Sequence, residues 1–136
     1  MPDDVVIAKV EIIENCLRRL DEVYAGKSAN LFEDLTRQDS ILLNLERACQ
    51  ASVDLALRVI RIRKLGLPKE SREAFEILER HGLIDADLSR ELKSMVGFRN
   101  LAVHNYRAVD LHVVERILNE KPAVFRRLNA WALTQF

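Results

Sequence analysis

The stretch from Asp39 to Leu65 constrains this chain most. Apolar and small residues recur there every three or four positions: Ile41, Leu42, Leu45, Ala48, Cys49, Ser52, Val53, Ala56, Val59 and Ile60. A strand would alternate with period two; this spacing gathers them on one side of a helix. Ala48, Ala51, Ser52 and Ala56 are small enough to let a second helix approach closely. A chain with such a helix has to fold as helices packed around it.

The flanking segments agree. Val6, Val10, Ile13, Leu17, Leu20 and Tyr24 outline a first helix, capped by Asp3 or Asp4 and ended by Gly26. Ser28 to Thr36 reads as a short polar connection with room for one turn around Leu31 and Phe32. Gly66-Leu67-Pro68 breaks the long helix, and Phe75, Ile77 and Leu78 mark a short third one. Gly82 suits the left-handed position after its end, which makes His81 a capping residue before a catalytic one. A fourth helix, capped by Asp85 or Asp87, runs through Leu88, Leu92, Met95 and Val96. A fifth starts at Asp110, places His112 on the surface of its first turn, and kinks or breaks near Asn119-Glu120 because of Pro122. No segment alternates like a strand. The expectation is all-α: one domain over 1–136, an up-down bundle of four to five helices.

Composition narrows the function classes. Lys plus Arg and Asp plus Glu are balanced at 21 each, so no general basic excess marks a nucleic-acid binder. A local basic site remains open. Arg58, Arg61, Arg63 and Lys64 make the end of the long helix basic, either as favourable charge at a helix C-terminus or as a phosphate-facing patch. Cys16 and Cys49 fall in apolar helical patterns and read as reduced, buried thiols of a cytoplasmic protein. No metal or other cofactor is expected, because no paired Cys or His spacing occurs. The acidic start lacks the basic region of a signal peptide, and no apolar run reaches the ~18 residues of a membrane span.

Glycine-rich phosphate loops, nucleophile turns and zinc helices are absent from the sequence. What remains is Gly97-Phe98-Arg99-Asn100-Leu101-Ala102-Val103-His104-Asn105-Tyr106. Arginine offers a fixed charge and a planar fork of donors for phosphate oxygens. Histidine moves a proton near neutral pH. Together they suit RNA cleavage: His104 takes the proton of a 2′-hydroxyl, and Arg99 stabilises the charge growing on the phosphate. On one ideal helix, however, Arg99 and His104 point about 140° apart. They converge only if the helix distorts or ends between them, or if two chains share a site. Periodicity alone favours a plainer role, with Arg99 ion-paired, His104 near a helix end and Tyr106 packed with its hydroxyl outward.

The run from Arg99 to Tyr106 resembles the Arg-x4-His-x-Tyr motif of HEPN-domain proteins. Gly66-Leu67-Pro68, Phe75-Glu76-Ile77-Leu78, His81-Gly82-Leu83-Ile84, Leu92 to Asn100 and Asp39 to Asp54 are similar to the HepT type, the toxins of HEPN–MNT toxin–antitoxin pairs. The resemblance covers most of the chain. It implies a homodimer with both motifs at a shared cleft, and a metal-independent endoribonuclease with Arg99 and His104 as catalytic pair. Asn100 would position substrate. The partners implied are RNA and an MNT-type nucleotidyltransferase antitoxin that transfers AMP to Tyr106; neither DNA nor membrane is expected. RNA binding would then rest on a local patch, with Arg58, Arg61, Arg63 and Arg107 as candidates. A non-catalytic nucleotide- or partner-binding module is the alternative, and a dimeric bundle whose motif only stabilises the interface is a third reading.

Overall fold

The computed structural model describes residues 3–104 and 109–135, the side chains of Val103 and His104 excepted. Its seven helices among these residues are α1 (Asp4–Tyr24), α2 (Ser28–Phe32), α3 (Leu35–Arg63), α4 (Ser71–Arg80), α5 (Ala86–His104), α6 (Leu111–Glu120) and α7 (Pro122–Leu133). No strand occurs among the described residues, so the all-α expectation holds.

The helix number exceeds the expected four to five for two local reasons. Leu31 is fully buried and draws Ser28–Phe32 into a short helix of its own. Pro122 takes the first position of α7, where its missing amide costs nothing, so the last amphipathic run divides at Lys121. The long helix also starts earlier than expected. Asp34 accepts the backbone N–H of Arg37 at 3.1 Å and caps α3 ahead of Asp39.

Helix α3 is the spine. It packs lengthwise against α1 and on its other sides against α4 and α5, while α7 closes across α1, α3 and α5. Ile13, Leu45, Leu55, Phe75, Leu92 and Phe125 are almost wholly removed from solvent, so every layer contributes to one continuous core. Each fully buried side chain of this size contributes roughly 1.5–3 kcal/mol over its exposed state.

Charged ties fix the helices at their ends. Asp3, the cap of α1, also receives two hydrogen bonds from Arg58 of α3, at 3.1 and 2.8 Å. The Arg58 guanidinium and the backbone N–H groups of Val5 and Val6 hold the Asp3 carboxyl below its usual range against a smaller opposing effect of burial. Glu115 of α6 accepts the Ser28 hydroxyl and, at 3.0 Å, the Tyr24 hydroxyl. Those two bonds depress the Glu115 carboxyl in turn. His81 takes the C-cap of α4 with Nδ1 3.0 Å from the Ile77 carbonyl, and His112 is exposed, its ring centroid 5.0 Å from that of Phe32.

Candidate active site

Arg99, Asn100 and the backbone of His104 all lie on α5. Asp85 caps this helix, accepting the Leu88 backbone N–H at 2.7 Å, which settles the choice against Asp87. Arg127 of α7 binds the same carboxylate at 3.0 Å and ties the start of α5 to the bundle. Leu88, Leu92, Met95, Val96 and Ala102 turn inward and Arg90, Ser94 and Leu101 outward, so one face packs while the other meets solvent.

Arg99 lies on the inner side of this helix. It is half-buried, and its Nε is enclosed without a hydrogen-bond partner among the described residues. Nη1 lies 3.4 Å from Asn100 Oδ1, a long contact that leaves the donor fork largely available. No ion pair to Arg99 is found among the described residues, contrary to the plainer structural role. Its charge is felt by Cys49 of α3. Burial pushes the Cys49 thiol up to about 12, against the pull of the Arg99 guanidinium. Burial likewise raises Cys16, and both cysteines are free and buried as expected.

Asn100 is exposed beside Arg99. His104 is the last residue of α5, and its side chain lies outside the described residues, as do Asn105, Tyr106 and Arg107. The helix runs unbroken from Ala86 through His104, which corrects the idea of a distortion or an end between Arg99 and His104. Five positions on a continuous helix keep the two about 140° apart. The structure therefore does not bring them together through the backbone of one chain.

Of the residues offered as a local RNA patch, Arg107 lies outside the described residues and two at the end of α3 have partners. Arg58 is committed to Asp3, and Arg63 donates to Gln135 Oε1 at 2.7 Å. Arg61 lies twelve residues beyond Cys49 on a straight helix, about 18 Å from the level of Arg99. Favourable charge in the last turn accounts for Arg61 and Arg63.

Two cations that the sequence did not single out stand closer to α5. The Arg72 guanidinium of α4 lies over Gly97, its Nη2 2.5 Å from where a β-carbon would be. Arg116 of α6 lines a groove along the outer face of α5. The available signal was Gly97 itself, since glycine inside a helix costs about 1 kcal/mol relative to alanine and calls for a packing reason. Among the described residues no cluster of His, Cys, Asp or Glu fits a metal ion, and no helix is long and apolar enough to cross a membrane.

The comparisons with known proteins agree in one direction. A family model described as ribonuclease HepT-like matches residues 13–129. The mRNA nuclease HepT of Shewanella oneidensis is 40% identical over 116 residues, covering 85% of this chain and 86% of that protein. Among solved structures, the tri-AMPylated HEPN toxin of Shewanella oneidensis in complex with its MNT antitoxin superposes with a TM-score of 0.90. It is 37% identical and covers 96% of this chain and 97% of that one. A toxin–antitoxin complex with AMP-PNP gives a TM-score of 0.89 at 36% identity, covering 96% and 99%. A half-buried arginine with no ion pair among the described residues, five positions before the histidine that ends its helix, is thus found in a chain that belongs to the HepT-like ribonuclease family.

Proposed function

We propose that this chain is the toxin of a toxin–antitoxin pair: an endoribonuclease that cleaves RNA without a metal ion, with Arg99 and His104 as its catalytic pair. The observation that carries the reading is Arg99. Its guanidinium is half-buried on the inner side of α5, with Nε enclosed and unpartnered and no carboxylate paired to it among the described residues, while the Nη atoms reach solvent. Such a donor fork is preorganised for a phosphate and costs little reorganisation when charge develops there.

In the reaction His104 accepts the proton of a ribose 2′-hydroxyl. That oxygen attacks the adjacent phosphorus, the bond from phosphorus to the 5′-oxygen breaks, and the leaving oxygen takes a proton from water, so that a 2′,3′-cyclic phosphate and a 5′-hydroxyl remain while His104 gives its proton back to solvent. Arg99 stabilises the non-bridging oxygens, and Asn100, exposed beside it, positions the strand. The unbroken geometry of α5 argues for a homodimer in which the Arg99 of one chain works with the His104 of the other.

Tyr106, two residues past His104, is the acceptor for AMP from an MNT-type nucleotidyltransferase antitoxin. Each added AMP brings a negative phosphate next to Arg99 and His104 and competes for the site that RNA requires. The relative solved as a tri-AMPylated toxin with its MNT antitoxin supports this regulation.

The test is expression in cells. The chain alone arrests growth, and co-expression with an MNT-type nucleotidyltransferase antitoxin restores growth and adds AMP mass at Tyr106. Growth arrest that persists with a Tyr106→Phe chain but not with wild type, both in the presence of the transferase, confirms the acceptor. An adduct on another residue removes Tyr106 from the account, and wild type that causes no arrest removes the toxin.

A further inference from the structure

We propose that the outer face of α5 is a groove for the RNA strand flanking the scissile bond, with Arg72 and Arg116 holding its phosphates. This rests on the ribonuclease reading above. Arg90, Ser94, Gly97 and Leu101 recur at helical spacing on that face. By register the backbone position of His104 falls within about 20° of Gly97, two turns or about 10 Å further along. The groove therefore leads along the helix face that ends at the proton-transferring residue.

Its walls carry the right chemistry. The groove encloses about 480 Å³ between α5 and α6, with Leu101 and Val113 exposed on it and Phe98 at its floor. Two of its cations are already matched: Lys121 binds Glu91 at 2.6 Å, and Arg90 binds Asp87. Arg116 is exposed and has no ion pair among the described residues. Arg72 is likewise exposed and without an ion pair among them, and its guanidinium lies at the Gly97 edge of the same face. In a chain of zero net charge, two uncompensated arginines flank one exposed helix face. Cations along a groove that also offers apolar surface to the bases are what a single strand needs, and the arginine fork fits its phosphates.

Gly97 makes the arrangement possible. Any β-carbon there would meet Arg72 Nη2 at 2.5 Å, so the guanidinium would have to shift from this position. A residue that weakens its own helix is in place where its absence of side chain seats a cation.

The experiment measures binding of a fluorescent single-stranded oligoribonucleotide across a salt series, in a His104→Ala background to prevent cleavage. Cleavage kinetics are run in parallel with the His104-intact chain. Arg72→Ala and Arg116→Ala should each weaken binding about tenfold and lower the slope of log affinity against log salt by about 0.7. In the cleaving chain KM rises while kcat stays within about threefold. Gly97→Ala, which favours the helix, should reproduce the loss of Arg72→Ala, and combining the two should add nothing further. Unchanged affinity and slope while wild type still cleaves RNA would overturn the groove and leave the nuclease intact. Wild type that cleaves no RNA would overturn the nuclease reading and the groove with it. Variants that turn a dimer into a monomer by light scattering would show the face to be an interface between copies, which also overturns the proposal.

Discussion

The Arg99 guanidinium of α5 lies close enough to Cys49 of α3 to pull on its thiol, yet burial wins and pushes that thiol up to about 12. A positive charge next to a cysteine usually makes it reactive; here the sulfur is fully buried, and burial outweighs the nearby charge. Native protein at neutral pH should therefore resist alkylation by iodoacetamide at Cys49 and react only on unfolding. Rapid labelling of Cys49 in the folded chain would show that the α3–α5 seam is open. A bulkier group at this buried position, as in Cys49→Leu, should disturb the packing of α3 against α5 and lower RNA cleavage while the helical circular dichroism is kept.

Phe75 anchors α4, the helix that carries Arg72, and it is fully buried. Phe75→Ala should cost about 3–5 kcal/mol of stability through lost burial and the cavity left behind. Urea unfolding checks this by a lower midpoint at unchanged slope. A loss under 1 kcal/mol would mean that α4 is not packed as described.

Acid should loosen the bundle at three ties. Asp3 is depressed first by Arg58, Asp85 first by the Leu88 backbone N–H, and Glu115 first by the Ser28 hydroxyl. A carboxyl with a folded-state value below its unfolded one binds fewer protons when folded. Its contribution is present above the unfolded carboxylate range, about pH 4, and is lost as pH falls through the folded value. Thermal melting from pH 7 to pH 3 should show a falling midpoint, and Asp3→Asn and Glu115→Gln should each flatten that fall. An equally steep fall in the double variant would rule these ties out as its source.

Much of this architecture was legible because it rests on local chemistry. Asp3, Asp85 and Asp110 cap helices where a short acidic side chain precedes an apolar-periodic run, and Pro122 divides the last run for its own covalent reason. The helix at Ser28–Phe32 was read only as a turn, since five residues carry too little periodicity and the burial of Leu31 supplies its stability. The engagement of Arg58 was hidden for a different cause. Arg58 looked available beside Arg61, but its partner Asp3 lies 55 positions away, a pairing that no local pattern reports. Arg72 and Arg116 escaped notice likewise, because an exposed arginine on a polar helix face has no sequence mark until the fold places it beside α5.

The continuous helix through Arg99 and His104 makes a direct prediction for mixed dimers. If each site takes Arg99 from one chain and His104 from the other, mixing Arg99→Ala with His104→Ala chains rebuilds one complete site per mixed dimer. Cleavage should return to a substantial fraction of wild type, while each variant alone stays inactive. Mixtures as inactive as their components, with heterodimers shown by mass, would place both residues of a site in one chain.

The central claim is that Arg99 and His104 cleave RNA without a metal ion, and one rate comparison tests it most directly. Wild type, Arg99→Ala and His104→Ala are purified as folded proteins and incubated with RNA in excess EDTA. Wild type should cleave, leaving 2′,3′-cyclic phosphate ends, and each variant should be slower by about 10²-fold or more. Variants that cleave at the wild-type rate, or wild type silenced by EDTA, would contradict the account.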